Sequence, residues 1–500
     1  MERVVMGILA IDAGTTGVTA LVIGEHGEVL GRGYAEFTQH FPQPGWVEHD
    51  PDEIWQATLA AVGAVIATVG AGEITTVGIT NQRETVMIWD RQNFSGPRRG
   101  IVWQDRRSSD LVVELRHTGI ETMVREKTGL GLDPYFSSTK FLWLARNDKD
   151  IWQGVVSGKY AVGTVDTFLI SRMTKGKVHV TDASNASRTQ LLNLKTGDWD
   201  DELLAIFEVP RNVLPEVVAS YGVVGTTDPV EFLGLSLPIA GIAGDQQAAL
   251  FGQVAFDIGD SKCTYGTGSF ILYNTGSELR ISDRGLLTTI AWQEPNGKIT
   301  YALEGAVFVT GAAVQWLRDG LGIIKSAAEV EALASSVETT DGVVFVPALS
   351  GLGAPYWDPY ARGSIHGITR GTTAAHIARA TLEAIAFQVR DVVEAMVKET
   401  NQPLAQLRVD GGAAINNLLM QMQADILKVP VVRGTSLETT GIGAAYLAGL
   451  GTGVWADKDE LRNSIAIDRE FSPAARDEWE YVRWQRAVQR SQNWVERGRN

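Results

Sequence analysis

The chain has a single cysteine, Cys263, in 500 residues. An internal disulfide is therefore excluded, and the usage suits a reducing compartment. Histidine is sparse too. Its seven residues are scattered between His26 and His376, with no His-x-x-x-His pair or cysteine cluster of the kind that holds zinc. Basic residues are outnumbered, 44 against 59 acidic, for a net charge of -15. That sign argues against nucleic acid and against an anionic membrane surface as partners. No stretch is fit to span a bilayer. The uncharged segment 439–456, with its five glycines, falls short of the ~20 apolar residues a spanning helix needs. Met1 to Met6 run into a strand-like segment without the layout of a signal peptide, so a cytoplasmic protein is expected.

Glycine, by contrast, is abundant. There are 53 glycines, against a usual share of ~7%, without collagen periodicity or low complexity. Such a surplus points to tight turns and to places where backbone approaches a ligand. With 44% hydrophobic residues the chain is globular, and its length suits two to four domains of roughly 100–200 residues.

The punctuation gives the class. Gly7 to Ala35 carry the pattern of three strands joined by tight turns, the first ending at Asp12. A helix starts after Asp50, with Pro51 at its first position and Glu53 three residues beyond the cap, and runs to about Val69. The strand Thr75–Ile79 then delivers Asn81, Gln82, Arg83 and Glu84. Alternation of this kind makes an α/β protein. Near the middle the opening recurs: an apolar strand ends at Gly244-Asp245, and a hairpin surrounds Gly266-Thr267-Gly268. Two related domains meeting at a cleft are expected, divided near 250–256. The last residues, from Ala475, form a charged helical pattern bearing Trp479, Trp484 and Trp494, expected to pack on the surface.

Several places have the composition for chemistry. Asp12-Ala13-Gly14-Thr15-Thr16 offers hydroxyls and backbone N–H groups to phosphate oxygens and a carboxylate to Mg²⁺, though the same residues make ordinary turns. The turn at Thr267 repeats the arrangement. Neither is a Walker loop, since no Gly-Lys-Ser/Thr follows. Gly411-Gly412 precede a helix start at which Asn416 caps the helix or touches a nucleoside. Arg83-Glu84 is either a solvated turn or a reader of adjacent hydroxyls. Trp103, placed on a strand Ile101–Gln104, is either core or the flat wall of a pocket. Asp245 is either a helix cap or a general base.

Over nearly its whole length the chain resembles the FGGY family of carbohydrate kinases, and within it the branch that phosphorylates glycerol. The segments that carry the resemblance are 78–85, 101–107, 134–140, 241–247, 301–305 and 353–359, the last reading Gly-Ala-Pro-Tyr-Trp-Asp-Pro. The resemblance implies two ribonuclease-H-like domains, 1–252 and 253–500, flanking a central cleft, with ATP and Mg²⁺ as cofactors. It places Arg83, Glu84, Tyr135, Asp245 and Gln246 on the polyol, with Trp103 and Phe270 as apolar walls. It places Thr15, Thr16 and Gly17 on one side of the phosphates and Thr267 on the other, with Gly311, Gln315, Gly412 and Asn416 along the rest of the nucleotide. Asp12 would organise the metal and Asp245 would take the hydroxyl proton. A homo-oligomer, dimer or tetramer, is expected. The rival readings are a sister kinase for erythritol, dihydroxyacetone or xylulose, an ATP hydrolase, and a non-catalytic actin-like nucleotide-binding protein. Two departures stand out. Thr19 occupies a place where the glycerol branch carries arginine, and 233–238 lack the arginine of the branch's sugar-bisphosphate-inhibited members.

Overall fold

Strand β1 (Gly7–Ala13) is almost wholly buried, so it must lie inside a sheet with both faces covered. In the computed structural model, which describes residues 7–495, it pairs antiparallel with β2 (Gly17–Ile23), and β2 pairs antiparallel with β3 (Val29–Glu36). On its other side β1 runs parallel to β4 (Ile74–Asn81). Beyond β4 come β5 (Tyr221–Thr226) and β6 (Pro238–Gly244), in the order β5-β6-β4-β1-β2-β3.

A second sheet is built from β7 (Ser261–Tyr265), β8 (Ser269–Gly276), β9 (Leu287–Gln293), β10 (Ile299–Val307), β11 (Leu407–Asp410), β12 (Val431–Gly434) and β13 (Ile467–Phe471). Its order is β9-β10-β8-β7-β11-β12-β13. Three antiparallel strands followed by two parallel ones recur as β3-β2-β1-β4-β6 and β10-β8-β7-β11-β12. The duplication expected from the two hairpin turns is thus a duplication of sheet topology.

Helix α1 (Pro51–Val69) covers one face of the first sheet, packing Trp55, Val62 and Val65 on Leu9 and Ile11. Asp50 caps it, accepting from the Asp52 N–H, and Gly70 ends it at φ 96°. Glu53 does not close a capping box; it accepts instead from the Thr38 N–H, 3.1 Å away. The opposite face, with Ile8 and Ala10, lies under α2 (Asp245–Gly252) and a helix from the far end of the chain. Between them in sequence come α3 (Gly311–Asp319), the long α4 (Ala374–Thr400) at the core of the second half, and α5 (Asn417–Leu427).

That distant helix is α6 (Thr439–Thr452), the uncharged glycine-rich stretch. A Cβ on Gly78 would collide with the Ala444 carbonyl, and one on Gly443 with the Ala248 carbonyl. Bare backbone therefore meets bare backbone, and the absence of side chains lets a helix of the second half lie on the first sheet. Among the described residues no helix is long and apolar enough to cross a membrane. The final helix, α7 (Glu478–Ser491), does more than coat the surface: its Trp484 is buried and donates its indole N–H to Asp391 at 2.7 Å, while Trp479 and Trp494 are exposed.

Candidate active site

Register sets what the second sheet presents to the first. Lys262 lies opposite Leu272, which lies opposite Glu304, while Thr264 lies opposite Phe270 on one side and Asp410 on the other. Side chains alternate along a strand, so Lys262, Thr264, Phe270, Glu304 and Asp410 share one face. Glu304 stands in an otherwise apolar strand and is fully buried, so it needs a partner.

The partner is Arg83, just beyond the end of β4. Its Nη1 lies 2.6 Å from one Glu304 oxygen and its Nη2 3.1 Å from the other, a bidentate pair across the two halves. The same guanidinium donates to Gln247 at 3.1 Å, and its Nε lies 3.1 Å from Asp245 Oδ1. Arg188 completes the group, with Nε 2.7 Å from Glu84 and Nη2 3.0 Å from Glu304. Arg83 and Glu84 are 3% and 1% exposed, so a solvated turn is ruled out. Glu84 sits in the left-handed region at φ 62°, a strained conformation of the kind that clusters where side chains are aimed for function.

Two cations among three carboxylates tune one another. Burial alone would raise the Glu304 carboxyl, but Arg188 and Arg83 hold it at about 2. For Asp245 burial outweighs the nearby Arg83, and the carboxyl is raised from its ordinary value. Asp245 is the first residue of α2, after the cap residue Gly244. Besides Arg83, its side chain takes the adjacent Gln246 N–H at 2.7 Å, and it remains 30% exposed. It is therefore not the cap of α2, and it is a reachable carboxylate of enhanced basicity.

Beside this group stand Trp103 and Tyr135, edge to face with ring centroids 5.5 Å apart. Trp103 is not on a strand: pairing stops at Ile101, and the indole emerges from the following turn, half-buried. Its Nε1 donates to the Thr15 hydroxyl at 3.0 Å, which ties the indole to the first glycine-threonine turn. Phe270 is half-buried on the facing sheet.

In that first turn Gly14 N donates to the Gly17 carbonyl at 3.0 Å. Thr16 is exposed, and Gly17 serves local packing, since a Cβ there would meet Ala35 and Tyr34. Asp12 is in register with Thr19 on one side and Thr80 on the other. Among the described residues its carboxylate makes no hydrogen bond or ion pair, and burial, with Asp245 and Glu438 adding repulsion, pushes its pKa up to about 8. A half-buried, unpartnered carboxylate facing a second carboxylate has the donor set a hard divalent cation takes.

The second turn is held by α3. Thr310 and Ala312 donate to the Thr267 carbonyl at 2.9 and 3.1 Å, and Gly311 donates to Gly266 at 3.0 Å. Asn416 caps α5 through the Leu419 N–H at 2.8 Å, and the space around Gly412 is open. Among the described residues no hydrogen bond joins Gln315, Gly412 or Asn416 to the Arg83 group; they belong to the second half's side.

Glu304, Arg188 and Lys262 carry no expected role in the sequence reading. Lys262 is fully buried, and donates to Gln246 and, at 2.8 Å, to Thr264; burial lowers its pKa. Glu304 did leave a signal, a charge inside a largely apolar strand, and Lys262 a charge inside a short strand pattern. Arg188 left none.

Comparison with known proteins agrees with this architecture. The N-terminal domain of the FGGY family of carbohydrate kinases matches residues 7–252 and its C-terminal domain residues 261–452. A glycerol kinase of Dechloromonas aromatica is 53% identical over 493 residues, 98% of each chain. One of Nitratidesulfovibrio vulgaris is 52% identical over 494 residues, covering 98% of this chain and 99% of the other. Among solved structures, Plasmodium falciparum glycerol kinase with ADP superposes with a TM-score of 0.91 at 36% identity, covering 97% of this chain and 98% of that one. A xylulose kinase from Lactobacillus acidophilus shares the fold, with a TM-score of 0.87 at 23% identity and 97% coverage of both. The chain belongs to the FGGY family of carbohydrate kinases.

Proposed function

We propose that this chain transfers the γ-phosphoryl group of ATP to a terminal hydroxyl of glycerol. The observation that carries the reading is Asp245, a raised, reachable carboxylate fixed by Arg83 next to Asp12 and the first glycine-threonine turn. Family membership supports kinase chemistry, and the half-identical relatives support glycerol as acceptor.

In this reading Arg83 and Glu84 hold the polyol hydroxyls, Gln246 and Tyr135 close the polar side, and Trp103 and Phe270 wall the carbon chain. Thr15, Thr16 and the turn before Gly17 meet the phosphates from the first half, and Thr267 from the second. Gly311, Gln315, Gly412 and Asn416 line the remainder of the nucleotide. Asp12 would hold Mg²⁺, which when bound would offset charge on the phosphate oxygens. Asp245 takes the hydroxyl proton as the polyol oxygen bonds to the γ-phosphorus and the bond to the departing ADP oxygen breaks. No guanidinium stands opposite Asp12, where Thr19 lies, so backbone N–H groups and hydroxyls meet the phosphate charge there. The halves 1–252 and 253–500 then act as the two sides of the closing cleft.

The test is ADP release from Mg-ATP with glycerol, erythritol, dihydroxyacetone, xylulose and no acceptor. Glycerol-dependent release is expected. Release that prefers another acceptor makes it a sister kinase, and acceptor-independent release makes it a hydrolase. No release with any acceptor favours an assembly protein.

A further inference from the structure

Six residues close a ring of hydrogen bonds beneath the first turn. Gln39 Nε2 donates to the Thr15 carbonyl at 2.8 Å, and its Oε1 lies 2.7 Å from His49 Nε2. Gln82 Nε2 lies 3.2 Å from His49 Nδ1 and 3.0 Å from the Gly14 carbonyl. Thr85 donates its hydroxyl to Gln82 Oε1 at 2.9 Å and accepts from the Trp103 backbone N–H at 3.2 Å. Trp103 Nε1 closes the ring on the Thr15 hydroxyl. The Gln82 backbone N–H adds a bond to the Ala13 carbonyl at 2.9 Å.

The proton count assigns the ring. A glutamine amide nitrogen can only donate, so His49 Nδ1 accepts and the imidazole is neutral. Nε2 then carries the hydrogen and donates to Gln39, whose amide nitrogen is left to donate to Thr15. Each member fixes the orientation of the next, and His49, Gln82 and Thr85 are buried. Low-dielectric surroundings strengthen such a circuit and make a cut costly. At its far end the Thr15 hydroxyl, already accepting from Trp103, has its own hydrogen free to donate into the cleft.

We infer that the Gln39–His49–Gln82–Thr85–Trp103–Thr15 ring couples the polyol wall to the first phosphate turn, with His49 as its positioning residue. The inference rests on the kinase reading for what the two ends hold. Polyol settling on Trp103 steadies the indole, the indole steadies the Thr15 hydroxyl, and the rest of the ring fixes three successive carbonyls behind it. Nucleotide and polyol should therefore bind with synergy that a single cut anywhere in the ring weakens.

The experiment compares Gln39→Leu, His49→Leu, Trp103→Phe and the Gln39→Leu/His49→Leu double variant with the wild type. ADP affinity is measured with and without glycerol, and amide exchange at residues 14–17 and 266–268. Each single variant is expected to cut the glycerol-induced gain in ADP affinity roughly 3- to 30-fold. The double variant should lose no more than the singles, because a ring cut once is open. Exchange should quicken at 14–17 and stay unchanged at 266–268. Additive losses, or unchanged exchange at 14–17 in variants that melt as folded proteins, overturn the ring. Should His49→Leu fail to fold, Gln39→Leu, which lies outside the polyol wall and removes the links to the Thr15 carbonyl and to His49, carries the same test. Failure of the kinase reading shows elsewhere, as absent ADP release with every acceptor, while the exchange readout still decides whether the ring holds the turn.

Discussion

The two glycine-threonine turns occupy matching places in sheets of matching topology, yet they are held by different means. The turn 13–17 is held by side chains from three separate segments, Gln39, Gln82 and Trp103, with His49 behind them. The turn at 266–268 is held by main chain, through the N–H groups of Thr310, Gly311 and Ala312 at the start of α3. Backbone support depends on glycine and little else, so it survives most substitutions but not a Cβ. Side-chain support is specific, and each link exposes the turn to changes far away in sequence. The first arrangement suits a turn that must sense a neighbouring site, the second one that must only stay in place.

The largest test lies where the halves meet. Asp245→Asn should fold normally and bind nucleotide while losing roughly 10²–10⁴-fold in turnover, since Arg83 retains Glu304 and the turns keep their supports. Near-normal turnover would remove Asp245 as the base and leave the turns as the only shared chemistry. Next comes Glu304→Gln, which leaves two buried guanidiniums with a neutral partner. A loss of about 3–5 kcal/mol is expected, measured by denaturant titration against the wild type. A small change would mean that the halves meet mainly through α6.

Glycine substitution tests the backbone support of the second turn directly. In Gly311→Ala the new Cβ would lie 2.8 Å from the Gly266 carbonyl oxygen, so the second turn must shift, at a cost of about 1–3 kcal/mol. In Gly412→Ala nothing lies within 4 Å, so stability should hold within about 0.5 kcal/mol. Any effect there should appear in the ATP KM instead. Equal melting of the two variants would show that the backbone-held turn is more tolerant than its geometry says.

These contrasts also explain what was legible in the sequence. Turn residues, helix caps and alternating strands are local signals, so the strands of Gly7–Ala35, the cap at Asp50 and the repeated hairpin could be read directly. Asp245 and Arg83 stood at strand ends, where α/β proteins gather ligands. Glu304 meets Arg83 across 221 residues and Arg188 across 116, and no local pattern encodes that. The ring is hidden for the same reason: Gln39, His49 and Gln82 are ordinary polar residues until the sheet brings them under one turn. The apolar neighbours of Trp103 mimic a strand in the sequence, whereas the pairing ends at Ile101 and Trp103 lies in the turn that follows.

The subtlest difference is in response to acid. The support of the first turn contains a titratable group and that of the second contains none. Burial, with His40 adding repulsion, lowers the His49 pKa from 6.5 to about 3. The unfolded chain binds a proton at this residue below pH 6.5 that the folded protein refuses until about pH 3, so its contribution is intact above pH 6.5 and is lost as pH falls across that window. The slope approaches about 1.4 kcal/mol per pH unit once the unfolded imidazole is fully protonated. His179, also lowered to about 4 by burial, adds a parallel slope that a variant at position 49 leaves in place. Between pH 6.5 and 5, above the range of ordinary carboxylates, His49→Gln should flatten the stability profile by up to about 2 kcal/mol relative to the wild type, and amide exchange in wild type should rise at 14–17 before it rises at 266–268. Parallel profiles for the two proteins, or simultaneous loosening of both turns, would mean that His49 is not the acid-sensitive member of the first turn's support and that the two turns differ in wiring but not in response.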